Sequence, residues 1–345
     1  MATTNGVKLV FGSSPFLGNA TVDDVTRWLK ALDDLKIDTI DTAQGYGQAE
    51  ALLGKAGAAS RFIIDTKQSS GFSGPPSTKE FIVESGKASL QKLQTDSVSP
   101  GSLTVDAWIR VFLLINALQV DVYYLHAPDP RVPLRETLSG INELYKQGAF
   151  KRFGLSNFLA HQVEEIIAIA NELGFVVPSV YQGNYNAVAR RTEDEVFPVL
   201  RKHNIAFYAY SPIAGGFLSK SKAELTNPEG RFGNTTSGIG AIYNSMYNRP
   251  SLVAALDVWE QIAQSEGIPR SELAYRWAVY HSKLQAGFGD AIIIGSRKED
   301  QLRETVSAVR KGPLSDAAAK RIDEMWDTVK GESALDNYES LRAKA

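Results

Sequence analysis

Short apolar segments alternate with longer amphipathic segments along almost the whole chain of 345 residues. Eight of the short segments are rich in β-branched and aromatic residues and are predicted as strands: Lys8–Phe11, Thr39–Ala43, Phe62–Lys67, Val120–Ala127, Arg152–Ser156, Ser179–Asn186, Ala206–Ser211 and Ala291–Ser296. Several are apolar at successive positions, which is typical of strands buried on both faces. Strands that alternate with helices predict parallel βαβ units.

The amphipathic segments have the spacing of helices with one apolar stripe. In the first of them the stripe contains Val25, Trp28, Leu29, Leu32 and Leu35. Helices are predicted at Asp23–Leu35, Thr78–Leu93, Leu134–Lys146, Ala160–Leu173, Asp194–His203 and Asp300–Val309. Thr21 and Thr192 precede two of these helices and are predicted as their N-caps.

Parallel βαβ units can form an open doubly wound sheet or a closed (β/α)8 barrel. An open sheet that binds a dinucleotide needs the pattern Gly-x-Gly-x-x-Gly in the turn after its first strand. Here that turn reads Phe11-Gly-Ser-Ser-Pro-Phe-Leu-Gly18, which lacks the spacing. The sequence therefore predicts an α/β fold, a (β/α)8 TIM barrel, as a single domain over residues 1–345.

Composition narrows the classes of function. With 37 basic and 39 acidic residues the net charge is −2, so we expect neither nucleic acid nor a membrane as a partner. The lack of cysteine excludes disulfides, thiolate metal sites and a cysteine nucleophile. The first residues lack a secretory signal pattern, and the apolar segment Ala107–Val120 is too short to span a bilayer. We expect a cytoplasmic enzyme without a metal.

Ionisable side chains follow the ends of three consecutive predicted strands: Asp41 with Tyr46 five residues later, then Lys67, then His126. Each has an ordinary structural interpretation alone, but strand ends of a barrel meet at one face. A phenol is a poor acid at neutral pH, and an adjacent ammonium makes it a better one, so Lys67 would turn Tyr46 into a proton donor. Asp41 would hold that ammonium, and His126 would hydrogen-bond a substrate oxygen. This set suits protonation of a carbonyl oxygen while another group delivers hydride.

The motifs around these residues resemble those of the aldo-keto reductases, in the same order and over nearly the whole chain. They are Asp41-Thr-Ala-Gln-Gly-Tyr46, Thr66-Lys67, Tyr124-Leu-His-Ala-Pro-Asp129, Phe153-Gly-Leu-Ser-Asn-Phe158, Tyr181-Gln-Gly-Asn-Tyr-Asn186 and Ala209-Tyr-Ser-Pro-Ile-Ala-Gly-Gly216. The branch of aflatoxin-aldehyde reductases is the most similar, because it also matches Gly230-Arg-Phe-Gly233, the tyrosines up to Tyr247 and the tail Asp336-Asn-Tyr338.

The resemblance implies that NADPH reduces an aldehyde or ketone to the alcohol, with Tyr46 as the acid. It implies cofactor binding by Ser156, Asn157, Gln182, Tyr210, Ser211, Pro212, Ala214, Gly216, Leu218, Gly295, Ser296, Arg297, Gln301 and Glu304, with Lys298 as a further contact to the 2′-phosphate. It implies substrate contacts from Phe16, Arg231, Tyr247 and Tyr338. One departure is Thr305, where the family commonly has Asn, which weakens the expectation for the adenine contacts.

Residues 98–119 do not fit the family pattern. Without them the sequence reads Thr95-Asp-Ser-Val-Asp-Val-Tyr, which continues the family pattern without a gap. Val98-Ser99 can be encoded GTAAGT and Gln119 CAG, which are the two ends of a short intron. The segment is interpreted as a retained intron or, alternatively, as an extra helix between the third helix and the fourth strand. Because it joins a helix to the next strand, we expect it on the face opposite the site.

Two other functions stay open from the sequence. The chain also resembles the potassium-channel β subunits, which share this barrel and would make it a cofactor-binding regulatory subunit. A barrel glycosidase would need two acidic strand-end residues, for which Asp41 and Asp129 are the obvious candidates, and it would leave Lys67 unexplained. The natural carbonyl substrate does not follow from the sequence. Analogy with the family suggests a substrate from secondary metabolism. The oligomeric state is not fixed by the sequence, and a homodimer is one alternative.

Overall fold

The computed structural model of the protein describes residues 6–72, 74–93, 120–225, 232–233 and 238–342. In these residues eight strands form a closed barrel in the order of the sequence. The strands are β1 Lys8–Gly12, β2 Thr39–Asp41, β3 Ile63–Gln68, β4 Val120–Leu125, β5 Phe150–Ser156, β6 Pro178–Asn184, β7 Ala206–Tyr210 and β8 Ala291–Ile294. The paired strands are parallel, as in β3 and β4, where Lys67 is the register partner of Tyr124. The predicted (β/α)8 barrel is confirmed.

Helices connect the strands and continue after the last of them. They are α1 Val22–Leu35, α2 Ala49–Lys55, α3 Lys79–Leu93, α4 Leu134–Lys146, α5 Ala160–Leu173, α6 Thr192–Glu195, α7 Phe197–Lys202, α8 Lys222–Leu225, α9 Gly238–Tyr247, α10 Pro250–Glu266, α11 Arg270–Tyr280, α12 Glu299–Val309, α13 Asp316–Val329 and α14 Glu339–Arg342. Among the described residues no helix is long and apolar enough to span a membrane.

The predicted helix start at Thr21 is confirmed by its hydrogen bonds. The Asp24 N–H donates to Thr21 Oγ1 at 3.2 Å, and the Thr21 N–H donates to Asp24 Oδ2 at 2.8 Å. This reciprocal pair is a capping box, which satisfies N–H groups that have no partner inside the helix. α4 and α5 have the predicted bounds, and α3 begins one residue later than predicted.

The prediction of one helix over Asp194–His203 was wrong, because α6 ends at Glu195 and α7 begins at Phe197. Val196 between them has φ −122°, and Pro198 lies in the first turn of α7. Proline lacks the N–H that would continue the hydrogen bonds of α6, so a new helix starts here. Thr192 as N-cap was also wrong, since Arg191 holds that position and Thr192 is the first residue of α6.

The chain divides into two compact units. The N-terminal unit contains Val10–Val180 and Gly295–Glu299, and the C-terminal unit contains Met1–Leu9, Tyr181–Ile294 and Asp300–Ala345. Within the N-terminal unit Gly154 faces the ring of Tyr124, where an added Cβ would lie 2.3 Å from a ring carbon. The interior of this unit is therefore close-packed around the strands that carry the predicted site.

The core of the C-terminal unit is aromatic. The ring of Phe207 stacks on Tyr181 at 5.8 Å and meets Phe197 edge-on at 4.7 Å. Tyr185, Trp259 and Trp277 are other large side chains that are fully buried in it. Residues 98–119, the predicted insertion, lie outside the described residues.

Candidate active site

Strand ends position the charged residues of the N-terminal unit. Asp41 is the last residue of β2, Lys67 is next to last in β3, and His126 directly follows β4. Tyr46 lies in the turn after β2, where its N–H donates to the carbonyl of Ala43 at 3.0 Å. The carboxyl ends of parallel barrel strands lie on the same face of the barrel. All four predicted catalytic residues belong to the N-terminal unit. We refer to Asp41, Tyr46, Lys67 and His126 as the tetrad.

Lys67 is the centre of the tetrad. Its side chain is 0% exposed, and Nζ donates to Asp41 Oδ2 at 2.6 Å and to the Thr42 carbonyl at 2.8 Å. Nζ also lies 5.1 Å from the centroid of the Tyr46 ring. Burial lowers the pKa of Lys67 and is the largest single cause, but the charge and hydrogen bond of Asp41 together with the charges of Tyr46 and Asp65 outweigh it, so the pKa is raised. The ammonium therefore stays charged beside the phenol.

His126 meets the phenol from another side. Its ring lies 6.1 Å from the Tyr46 ring at 74°, and the ring of Phe72 meets it edge-on at 5.0 Å. Burial, assisted by the positive charge of Lys67, lowers the pKa of His126 to about 3. The imidazole is therefore neutral at physiological pH and can donate an N–H bond to an oxygen without carrying charge.

The end of β5 supplies amide and hydroxyl groups next to this histidine. Asn157 adopts φ +63°, which few residues other than glycine tolerate as well as Asn. Its Nδ2 donates to the His126 carbonyl at 2.9 Å and to Ser156 Oγ at 3.0 Å. Both side chains are buried at 1% exposure. The backbone conformation thus turns the Asn157 side chain toward the tetrad's histidine.

The segment after β8 has the groups that an anion needs. Arg297 and Lys298 are exposed, Ser296 is half-buried, and all three directly precede α12. Backbone N–H groups at the start of a helix and nearby cations favour phosphate. Gly295 is exposed, and an added Cβ there would lie 3.5 Å from Ser14 Oγ. These donors fit the 2′-phosphate of a dinucleotide.

The loop after β7 in the C-terminal unit, residues 211–218, has an uncommon backbone. Ser211 and Ala214 have φ +57° and +53°, and Gly215 and Gly216 have φ +65° and +102°. Left-handed residues in succession turn backbone N–H groups in a common direction, which is how loops cradle phosphate. The N–H groups of Ala214 and Gly216 donate to the carbonyls of Ser211 and Ile213 at 2.8 and 2.9 Å. The pyrophosphate contacts expected for Ser211, Pro212, Ala214, Gly216 and Leu218 stay predictions.

Aromatic rings hold this loop. An added Cβ at Gly215 would lie 2.2 Å from a ring carbon of Tyr243, so the ring packs directly on the glycine backbone. The Tyr243 hydroxyl and Ser211 Oγ share a hydrogen bond of 2.7 Å. Tyr243 stacks on Tyr247 at 6.1 Å, which in turn stacks on Phe217 at 5.7 Å. We refer to Tyr243 and Tyr247 as the tyrosine stack.

The tail meets the end of β7 within the same unit. The N–H of Asn337 donates to the Tyr210 hydroxyl at 3.2 Å. Burial and the charge of Asp336 raise the pKa of Tyr210 well above its usual value. Arg191 donates to the Ser333 carbonyl at 3.2 Å and to Glu339 at 2.7 Å, which ties the tail down. Tyr210 is therefore a neutral ring with its hydroxyl fixed.

The predicted substrate residues are mostly buried. Phe16 and Tyr247 are each 1% exposed, and Tyr338 is 7% exposed. The Tyr247 hydroxyl donates to Asn184 Oδ1 at 2.9 Å and accepts from Asn186 Nδ2 at 3.0 Å. Their substrate contacts stay predictions, and Arg231 lies outside the described residues.

The remaining predicted cofactor residues lie in the C-terminal unit. Gln182 is a buried residue of β6, while Gln301 and Glu304 are exposed on α12. Thr305, the departure from the family, shares a hydrogen bond with Tyr275. The adenine contacts expected from α12 stay predictions.

Sequence reasoning missed the groups that support the site. Tyr243 and Asn186 bond Ser211 of the 211–218 loop, and Asn184 bonds the Tyr247 hydroxyl. Phe72 packs on the tetrad's histidine. One pattern in the sequence could have predicted that a tyrosine ring packs on a glycine of this loop. It is the pair of adjacent glycines at 215 and 216, followed by a tyrosine-rich segment. The carboxyl of Asp129 is hydrogen-bonded by Arg131 at 2.7 Å and by the Ser77 N–H at 2.9 Å.

Comparison with known proteins identifies the family of the chain. The model of the Aldo/keto reductase family matches residues 8–108 and 114–327. The chain belongs to the aldo-keto reductase family. It is therefore an enzyme, an oxidoreductase that reduces carbonyl groups.

Similar proteins come from fungi and mammals. Oxidoreductase sirO of Leptosphaeria maculans is 33% identical over 337 residues, which cover 94% of this chain and 95% of the relative. Aldo-keto reductase family 7 member A3 of Homo sapiens is 35% identical, covering 85% of this chain and 86% of the relative. Aflatoxin B1 aldehyde reductase member 2 of Rattus norvegicus is 31% identical, covering 88% and 80%. The predicted branch of aflatoxin-aldehyde reductases is confirmed.

Proposed function

We propose that the protein reduces an aldehyde or ketone to the alcohol, with NADPH as the hydride source and Tyr46 as the proton donor. The observation that carries this proposal is the buried ammonium of Lys67, bonded to Asp41 at 2.6 Å and 5.1 Å from the Tyr46 ring. A positive charge at that place stabilises the phenolate that remains after proton transfer. When bound, the nicotinamide supplies a hydride to the carbonyl carbon.

The tetrad handles the proton. Tyr46 gives its hydroxyl proton to the carbonyl oxygen, and Lys67 stabilises the phenolate that is left. Asp41 holds the ammonium in place and balances its charge. The neutral His126 donates an N–H bond to the same oxygen as negative charge develops on it, which stabilises the transition state.

Cofactor roles follow from the resemblance and from the chemistry of each group. Ser156, Asn157 and Gln182 would bind the carboxamide, and Tyr210 would stack on the nicotinamide ring. The left-handed backbone of the 211–218 loop supports a pyrophosphate role, and Ser296 and Arg297 at a helix start support a 2′-phosphate role. Gly295, Gln301 and Glu304 would contact the adenosine part.

The substrate is proposed by class alone. Phe16, Arg231, Tyr247 and Tyr338 would contact an aromatic or extended carbonyl compound. An aldehyde of secondary metabolism is supported by analogy with sirO of Leptosphaeria maculans and with Aldo-keto reductase pigE of Monascus ruber, which is 32% identical over 221 residues.

The test is a reductase assay. Protein, NADPH and 4-nitrobenzaldehyde should consume the absorbance of reduced nicotinamide, and NADH should do so more slowly. Tyr46→Phe should lose about 10²–10⁴-fold in kcat while NADPH binding persists. Tyr145→Phe, which changes a tyrosine that is 42% exposed on α4, is the matched control and should keep full activity. Unchanged turnover in Tyr46→Phe would refute the role of the phenol.

We also propose that residues 98–119 are absent from the working enzyme. The family pattern continues without a gap when they are removed. Sequencing the spliced transcript tests this, and messages that all encode the segment would contradict it. Protein made without the segment should fold in higher yield and keep its reductase activity, because the segment joins a helix to the start of a strand.

A cytoplasmic location, a homodimer and the lack of nucleic-acid or membrane partners remain proposals. The near-neutral net charge of −2 supports the last of these. Cell fractionation tests the location and the lack of a membrane partner, and the mass of the purified protein in solution tests the homodimer.

A further inference from the structure

Asp65 is a buried carboxyl that the proposed mechanism does not use. It lies in β3 two residues before Lys67, so the two side chains leave the strand on the same face. Its register partner on β2 is Asp41, the carboxylate that binds the ammonium. The residue is 0% exposed. Asp65 therefore lies directly beneath the ion pair at the centre of the tetrad.

The hydrogen bonds of Asp65 are incomplete for an ionised carboxylate. Oδ1 accepts the Val122 N–H at 3.1 Å, whereas Oδ2 accepts no hydrogen bond from the described residues. Ionised carboxylates in protein interiors need several donors or a paired cation. A protonated carboxyl carries no charge and avoids most of that cost.

The charges that face Asp65 disfavour its ionisation. Asp41 lies beside it on β2 and Asp121 on β4, and both are negative. Lys67 and Arg152 are nearby cations, but both are paired: Lys67 Nζ is held by Asp41 at 2.6 Å, and Arg152 Nη2 on β5 pairs with Asp121 at 2.7 Å. Burial, with the charges of Asp121 and Asp41, raises the pKa of Asp65 to about 8, although Arg152 and the Val122 N–H act in the opposite direction.

We propose that Asp65 is a positioning residue of the reductase site, which stays protonated in the working enzyme so that one carboxylate, Asp41, balances the Lys67 ammonium. The inference rests on the proposed function, since it concerns how strongly Lys67 acts on Tyr46. When Asp65 loses its proton to solvent at alkaline pH, a second negative charge appears beside Lys67. The ammonium then stabilises the phenolate less, and Tyr46 becomes a weaker acid.

The decisive variant is Asp65→Asn, which resembles the protonated carboxyl in shape and cannot ionise. The ratio of its kcat to the kcat of the wild type should rise about threefold or more between about pH 7 and about pH 9.5, along a one-proton curve. Taking the ratio removes any pH dependence of kcat that does not involve Asp65. A ratio that is flat or falls with pH would overturn the proposal.

Thermal unfolding tests the same protonation without activity. Asp65 keeps its proton in the native state up to about pH 8 but loses it near pH 3.8 when unfolded, so its contribution to stability is complete at low pH and is lost as pH rises through that window. The Tm of Asp65→Asn minus that of the wild type should therefore increase from about pH 5 to about pH 8 and then level off. A constant difference would contradict the proposal. If the Asn variant does not fold, Asp65→Ala should show the same pH dependence of the kcat ratio and of the Tm difference.

A neighbouring carboxyl gives a directional control. Asp121→Asn removes one of the negative charges beside Asp65 and frees Arg152, so the alkaline fall in kcat should begin at lower pH than in the wild type. A fall at unchanged or higher pH would contradict the set of charges named above. If the wild type does not oxidise NADPH in the presence of 4-nitrobenzaldehyde, the proposed function fails, whereas an active wild type with a flat kcat ratio refutes Asp65 alone.

Discussion

In the tetrad, a buried ammonium is held by an anionic carboxylate at 2.6 Å. In the 211–218 loop, neutral groups are held by rings and by neutral hydrogen bonds, among them Tyr243 to Ser211 Oγ at 2.7 Å and Asn186 to the Ser211 carbonyl at 3.1 Å. The tetrad needs charge because its proposed work is to stabilise a phenolate. The loop needs a fixed backbone because its proposed ligand is the anion. Charge therefore sets the chemistry of one region, and packing sets the shape of the other.

The largest effect should come from breaking the charged region. Lys67→Met leaves the Asp41 carboxylate buried without its ammonium, which should cost about 3–5 kcal/mol of unfolding free energy. The reductase activity should fall by about 10²–10⁴-fold as well. Urea unfolding and the NADPH assay measure the two effects.

Lys79→Met is the control for that variant. Lys79 is paired with Glu143, but both side chains are largely solvated, and the pair should matter little. Equal losses in the two variants would show that the buried pair has no special role.

The next effect should come from the packed region. Gly215→Ala would place a Cβ 2.2 Å from the Tyr243 ring at φ +65°, which should cost about 1–3 kcal/mol and weaken dinucleotide binding. Gly216→Ala has the more strained backbone, at φ +102°, but its nearest contact is Ser219 Oγ at 3.9 Å, so a smaller loss of dinucleotide binding in this variant would identify the ring contact as the cause. Combining Gly215→Ala with Tyr243→Ala should recover part of the affinity. If the affinity of the double variant does not recover, the Tyr243 ring does not determine the conformation of the loop.

Acid should weaken the charged region through its histidine. The native pKa of His126 is lowered to about 3, below the unfolded value of 6.5, so its contribution to stability is present above 6.5 and is lost as pH falls toward 3. Against His126→Gln, the Tm of the wild type should fall by about 2–4 °C more between about pH 6.5 and about pH 4.5. Comparing the wild type with His126→Gln separates the contribution of His126 from that of Asp65, whose contribution to stability is lost as pH rises rather than as pH falls. Parallel Tm curves would contradict a neutral His126.

The smallest effect should come from one hydroxyl in the tyrosine stack. Tyr243→Phe keeps the ring but loses the bond to Ser211, worth about 0.5–1.5 kcal/mol. The KM for NADPH should rise about two- to tenfold while kcat is retained. Tyr280→Phe removes a comparable bond to the Val309 carbonyl and should leave KM unchanged. A lowered kcat in Tyr243→Phe would place this hydroxyl in the chemistry.

Prediction from the sequence worked best where local pattern and topology coincide. The strand segments and helices such as Leu134–Lys146 were found because burial on both faces, or on one stripe, leaves a period in the sequence. It failed at Val196, where a proline two residues later separates two short helices. The helices between β7 and β8, such as Pro250–Glu266, and the helices after Glu299–Val309 were not predicted from the sequence.

The sequence by itself located the strands to within two residues at each end, and thus predicted that an acid, a phenol, an ammonium and an imidazole belong to one site. This is possible because barrel topology brings strand ends together whatever the details of packing. Only the tertiary structure decided that Asp65 is buried with an incomplete set of donors and that Tyr243 packs on a left-handed loop. Such facts depend on contacts between residues far apart in the chain, for which local periodicity carries no signal.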